Sequence, residues 1–178
     1  MPFSGKRRLA TLCVSLLGVC LIALQCGYHL SGTGSSLPEH IRTVSVPMFK
    51  NMTTRYELDT KLTQRVIDEL VTRGKVEIAS DEESADALLT GEIQSFRAIP
   101  IAFSGESAAD RYNIIIVTKI LLRDNVSRKV IYSNPSMVYQ YEYGVPEGTD
   151  FESVESLAID VVAERFARSL VSTILEGF

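Results

Sequence analysis

Tyr112-Asn113-Ile114-Ile115-Ile116-Val117-Thr118-Lys119-Ile120-Leu121-Leu122-Arg123 is the stretch on which the fold turns. Side chains alternate between the two faces of a strand, so even and odd positions report on different surroundings. The even set (Tyr112, Ile114, Ile116, Ile120, Leu122) is almost wholly apolar and reads as a core face. The odd set mixes Ile115, Val117 and Leu121 with Lys119 and Arg123. That second face is too apolar for plain solvent surface and too charged for a core, which makes it a candidate interface. An ordinary amphipathic outer face is the simpler alternative.

Two further strand patterns flank this one. Ala87 to Phe103 carries Leu89, Gly91 and Ile93 on one face and Glu92 and Gln94 on the other. Asp124 to Arg128 reads as a turn, after which Lys129 to Tyr143 returns, interrupted near Asn134-Pro135. Tyr139, Tyr141 and Tyr143 share one face of that last strand, either as interface rings or as cross-strand partners. Upstream, Thr43 to Phe49 reads as a strand, with Pro47 marking an edge or an end, and Lys50 to Thr53 as a loop. A minor strand is expected at Val76-Glu77-Ile78.

Helical spacing appears twice. Leu58, Leu62, Val66, Ile67, Leu70 and Val71 recur at three- and four-residue steps, opposite a polar face of Asp59, Lys61, Gln64, Arg65 and Asp68. Thr54-Arg55-Tyr56-Glu57 fits a capping box ahead of this stripe, and Gly74 a left-handed stop. Thr149-Asp150-Phe151-Glu152 is a second such box, before Val154, Leu157, Ala158, Val161, Val162, Phe166, Leu170 and Ile174. The order is β-α-β-β-β-α. It predicts an α+β fold, two helices packed on one face of a four-stranded sheet.

The N-terminus sets the compartment. Lys6-Arg7-Arg8 precede an uncharged apolar run, Leu9 to Leu24, and Cys26 closes it. This is the pattern of a bacterial lipoprotein signal peptide, residues 1–25, with Cys26 as the lipidated terminus. Ala23 and Gln25 depart from the usual lipobox. Cys20, the other candidate, is preceded by Val19 and followed by apolar residues, where a mature terminus is polar. An uncleaved anchor falls short of the roughly 20 apolar residues that a spanning helix needs. Residues 26–42 then read as a lipid-anchored tether, Gly/Ser-rich over 31–40, and 43–178 as the folded domain.

Removing residues 1–25 takes Lys+Arg from 18 to 15 against 22 Asp+Glu, a net charge of −7. A domain this acidic lacks the basic footprint of a nucleic-acid binder. With Cys26 acylated no thiol remains, so disulfide, CxxC and cysteine-metal chemistry are excluded. His29 and His40 fall in the tether, where nothing orients a base. Gly105-Glu106-Ser107-Ala108-Ala109 lacks the following helix of a nucleophile elbow. Asp81-Glu82-Glu83 lacks the ligand loop of a calcium site and reads as a solvated charge run. No catalytic residue, cofactor or metal is expected.

Cys26-Gly27-Tyr28-His29-Leu30, Leu37-Pro38, Val46-Pro47-Met48-Phe49-Lys50-Asn51, Ala85-Asp86-Ala87-Leu88-Leu89-Thr90-Gly91 and the final helix together resemble the LPS-assembly lipoprotein LptE family. The resemblance implies an outer-membrane lipoprotein that plugs the LptD β-barrel, one to one, for lipopolysaccharide transport. Gly27, not aspartate, follows the cysteine, in keeping with the outer membrane. Ile115, Val117, Lys119, Leu121 and Arg123 are the candidate partner face, and Arg97, Arg111, Arg128 and Lys129 the candidate lipopolysaccharide contacts. The alternative is a periplasm-facing lipoprotein that regulates an envelope enzyme or forms part of a secretion channel. Cys26→Ser should leave an uncleaved precursor at the inner membrane. Mass spectrometry of the mature terminus checks this, and an acylated Cys20 would overturn it.

Overall fold

The computed structural model describes residues 37–104 and 108–177. Residues 1–25, expected as a signal peptide, and Cys26, His29 and Ser107 lie outside the described residues. The elements are β1 (Thr43–Ser45), β2 (Lys50–Asn51), α1 (Leu58–Arg73), β3 (Glu77–Ile78), β4 (Ala87–Ser104), β5 (Ala108–Asp124), β6 (Val130–Gly144) and α2 (Phe151–Glu176). The fold is α+β, as expected, but the sheet has six strands rather than four. Their order is β3-β1-β4-β5-β6, with β2 also pairing β4. β1, β2 and β3 pair in parallel, whereas β4, β5 and β6 form an antiparallel meander.

The strand expected over 43–49 is cut to Thr43–Ser45, and Lys50–Asn51, expected as loop, is β2. Pro47 cannot donate to a ladder. Two residues on, Phe49 turns inward: its N–H donates to Thr63 Oγ1 at 2.9 Å, and its ring is 2% exposed. The ring lies over Gly91 of β4, where an added Cβ would fall 2.6 Å from it. Strand β6 runs through Asn134-Pro135 instead of stopping. The pairing slips from Thr118↔Met137 to Ile120↔Asn134, a bulge on a sheet edge, where proline is tolerated. β5 begins at Ala108, four residues ahead of the Tyr112 at which the alternating stretch starts.

Both helices are found, with their starts moved. Glu57 adopts a left-handed conformation (φ 59) and makes no side-chain cap. The Thr54–Glu57 capping box therefore does not form. Asn51 organises this turn instead, accepting from Thr53 N (2.9 Å) and donating to Arg55 O (2.8 Å). At α2 the cap is Asp150, which accepts from Ser153 N at 2.9 Å, while Thr149 donates to Pro146 O. Gly74 ends α1 as expected, its N–H donating to Leu70 O and Val71 O. Val71 and Leu157 are not core: they are 58% and 67% exposed. Glu155 takes a core position on α2, paired with Arg55 at 2.6 Å. The tyrosine row faces α2. Tyr139 meets Phe166 edge-on, Arg165 lies over Tyr141, and Tyr143 stacks on Tyr112. Burial pushes the Tyr143 hydroxyl up to about 12, with the Glu155 charge adding to the shift.

The end of the stretch expected as a tether is packed rather than loose. Leu37 and Ile41 are 7% and 5% exposed and belong to the core. His40 is held as well: its Nε2 lies 2.8 Å from Asp124 Oδ2. Asp86 accepts from Arg42 N, Thr43 N and Thr43 Oγ1 at 2.9–3.0 Å, and its own N–H donates to Thr43 Oγ1. Asn125 donates from its backbone to Asp86 O and from its amide to Glu82 O and Ala85 O. The starts of β1 and β4 and the end of β5 are thus tied in one polar knot.

Two expectations follow. Gly91→Ala must displace the Phe49 ring, and overpacking of this kind costs about 1–3 kcal/mol. Urea unfolding should show that loss, and adding Phe49→Leu should cost less than the two single changes summed. The second concerns acid. Three carboxylates are held below the ordinary value of 3.8. Asp86 is lowered by the N–H groups of Arg42 and Thr43, Asp124 by the Ser127 hydroxyl and N–H, and Asp150 by Ser153. Since the unfolded chain takes up these protons first, the stabilisation is complete above about pH 5 and drains away below about pH 4. Melting scans should be level from neutral pH to about 5 and fall steeply below about 4. Asp124→Asn should lower the plateau and flatten part of the acid limb.

Candidate partner-binding surface

Both helices pack on one side of the sheet, so the alternation of β5 divides its side chains cleanly. Ile114, Ile116 and Ile120 are 0% exposed and Leu122 is 1%. On the other side Ile115, Val117 and Leu121 are half-buried, and Lys119 and Arg123 exposed. The even and odd faces are therefore assigned as the sequence has them. The half-burial of the odd residues comes from cross-strand neighbours. Val117 is flanked by Ser95 and Val138, Ile115 by Arg97 and Gln140, and Leu121 by Thr90 and Ser133. Among the described residues no helix covers this side.

The charges lie along the same face. Lys119 is opposite Glu92 in register, and both line a shallow groove of about 260 Å³ with Lys50, Thr90 and Leu121. Arg123 and Arg128 line another, of about 510 Å³, with Glu82, Glu83 and Asn125. Arg128 is in the left-handed region (φ 63) within the β5–β6 turn, next to the exposed Lys129. Arg97 and Arg111 are exposed farther along the hairpin, opposite Ile115 and Ala102. The four candidate cations are thus not brought together. Arg111 and the turn beyond Arg123 lie near opposite ends of β5, about 40 Å apart at roughly 3.4 Å per residue.

Sequence reasoning missed one constellation. His40, Asp124 and Ser127 meet, which are the residue types of a hydrolytic triad, but their order is wrong. Ser127 Oγ donates to Asp124 Oδ2 at 2.6 Å, and His40 Nε2 contacts the same oxygen at 2.8 Å. The serine is bound to the carboxylate and not to the imidazole, so nothing here activates it. Asp124, 2% exposed, serves as a turn cap that also accepts Val126 N and Ser127 N. The Asp–Asn pair closing β5 was the available signal, because such residues bind their own backbone two residues on. Among the described residues no His/Cys/Asp/Glu cluster forms a metal site.

Comparison with known proteins gives the fold and the family. In structure the chain resembles the hypothetical protein CT253 from Chlamydia trachomatis, at TM-score 0.52 and 11% identity, over 77% of this chain and 96% of that one. It also resembles protein XCC0632 from Xanthomonas campestris, at TM-score 0.50 and 12% identity, over 79% and 90%. A weaker likeness, at TM-score 0.46 and 16% identity over 74% and 96%, is to the rare lipoprotein B from Shewanella oneidensis. No curated protein matches in sequence. A family model described as LptE, Lipopolysaccharide-assembly, matches residues 41–174, which span the whole sheet, α1 and nearly all of α2. The chain belongs to the LptE lipopolysaccharide-assembly family.

Proposed function

We propose that this LptE-family chain is an outer-membrane lipoprotein, anchored through acylated Cys26, that plugs the lumen of an LptD β-barrel and supports its assembly for lipopolysaccharide transport. The observation that carries this reading is the helix-free sheet face. On β5, the middle one of three long strands, Ile115, Val117 and Leu121 are half-buried beside the exposed Lys119 and Arg123, and among the described residues no helix covers them. Apolar area framed by charge suits a barrel interior, whose wall is polar but close-packed around a plug. Burying it supplies the hydrophobic contribution, and the flanking cations fix the register.

The action is stoichiometric binding, not turnover. Lipopolysaccharide enters this reading as a transported neighbour. Arg97 and Arg111 on the hairpin, and Arg128 and Lys129 at the opposite end, are proposed as separate phosphate contacts, since their spread does not suit one headgroup. A regulator of an envelope enzyme would have no need of an LptD partner, so co-purification separates the two readings.

The test uses one substitution on each face of β5. Val117→Asp should at least halve recovery of the LptD-like barrel while the chain still melts cooperatively. Ile116→Asp should unfold the domain, because a buried unpaired carboxylate costs several kcal/mol, comparable to the whole stability. Barrel recovery unchanged by Val117→Asp, or a folded Ile116→Asp, would defeat the proposal.

A further inference from the structure

β6 is the outermost strand of the meander. β5 pairs with one side of it through Arg111–Arg123, and no described strand pairs with the other. A free edge is a template for an added strand, and proteins usually blunt it with lysine, proline or a bulge. β6 has such breaks in its first half, at Asn134-Pro135-Ser136 and between Val130 and Tyr132. Beyond them Met137-Val138-Tyr139-Gln140-Tyr141-Glu142-Tyr143-Gly144 keeps regular register with β5 and holds no proline, lysine or arginine. That leaves about 27 Å of open ladder.

An open groove of about 690 Å³ lies on the helix side of this run. Tyr139 of β6, Arg165, Arg168, Ser169 and Ser172 of α2, and Arg73 of α1 line it. The Arg165 guanidinium is 4.9 Å from the centroid of the Tyr141 ring and has no carboxylate partner among the described residues. Arg168 pairs with Glu164 one turn back, both side chains more than half exposed. Arg73 pairs with Glu69 and Glu176. The exposed Arg168–Glu164 pair contributes little and exchanges partners readily.

The two features share Tyr139. A strand added about 4.8 Å beyond β6 would direct every second side chain towards α2, into this groove. We infer that the Met137–Gly144 edge of β6 is a docking site for an extended polypeptide strand with carboxylates at alternate positions. Main-chain bonds to the open edge would supply affinity, and Arg165 and Arg168 the preference for acidic side chains. A second copy of this chain fits worse: edge-to-edge pairing would bring the two α2 helices together, with Arg165 and Arg168 facing their own copies. This docking site is independent of the barrel reading, which uses the opposite face of the sheet.

The full-length chain in detergent is titrated with a fluorescent peptide, acetyl-Thr-Glu-Val-Glu-Val-Glu-Thr-amide. Anisotropy reports binding, and amide hydrogen exchange is read with and without the peptide. The expected result is binding with exchange slowed at least tenfold across Met137–Gly144. A peptide with Lys for each Glu should bind at least tenfold more weakly. In Arg165→Glu/Arg168→Glu that preference should reverse, and because the Lys-peptide comparison uses the unmutated chain, the test stands even if this variant misfolds. Three results would overturn the inference: no binding, protection confined to α2 without β6, or β6 protection that appears without peptide and rises with protein concentration. No barrel is present in the assay, so its failure leaves the barrel reading where it stood.

Discussion

The parallel seating of β1 against β4 is the constraint on which the rest of the domain depends. β1 has only three residues and lies between β3 and β4. Its own ladder is too short to fix its position. Asp86 does so by gathering the N–H groups of Arg42 and Thr43 and the Thr43 hydroxyl, while Asn125 and Asp124 bind the neighbouring turns and His40. Once β1 is placed, the chain must cross back over the sheet to reach β4, and α1 is set on the same side as α2. The ring of Phe49 on Gly91 then locks the crossover against the central strand. A carboxylate and a missing side chain, five residues apart, account for the Ala85-Asp86…Gly91 pattern in physical terms.

Putting both helices on one side creates the asymmetry that matters for function. Strands of 15–18 residues carry one buried face and one open one. The helix side is closed by Phe166, Leu170, Leu62 and Leu58, all at 0% exposure. Ion pairs then stitch the two helices to each other, Lys61 to Asp160 and Arg73 to Glu176, and Arg55 brings the loop before α1 to Glu155. Among these Glu155 is buried, so its pairing with Arg55 meets the need of a charge removed from water.

The polar groups concentrate at the edges of the fold and have structural duties. Asp86 accepts backbone N–H groups, and Asp124 and Asp150 each accept a serine hydroxyl and N–H groups, which explains their depressed titration. The surface left over is apolar rows framed by separated cations on one face, and an open strand edge beside arginines on the other.

The division between what could be read and what could not follows from range. Period-two alternation in β5 and period-three-and-four spacing in the helices are local, so core and open faces were legible residue by residue, from Ile116 and Val117 to Leu62 and Phe166. The family, too, was legible in short motifs. Whether Glu155 is solvated or buried depends on a partner distant in sequence, Arg55. The same holds for His40, whose partner Asp124 is 84 positions away, and for Thr43, which meets Asp86 across 43. Strand order and the free edge of β6 likewise arise from pairing between segments. The sequence by itself determined the apolar face of β5 and most of each helix stripe, though not the exposure of Val71 and Leu157 or the burial of Leu37 and Glu155; only the tertiary structure decided which polar groups meet, because a hydrogen bond or ion pair needs both partners within about 3 Å.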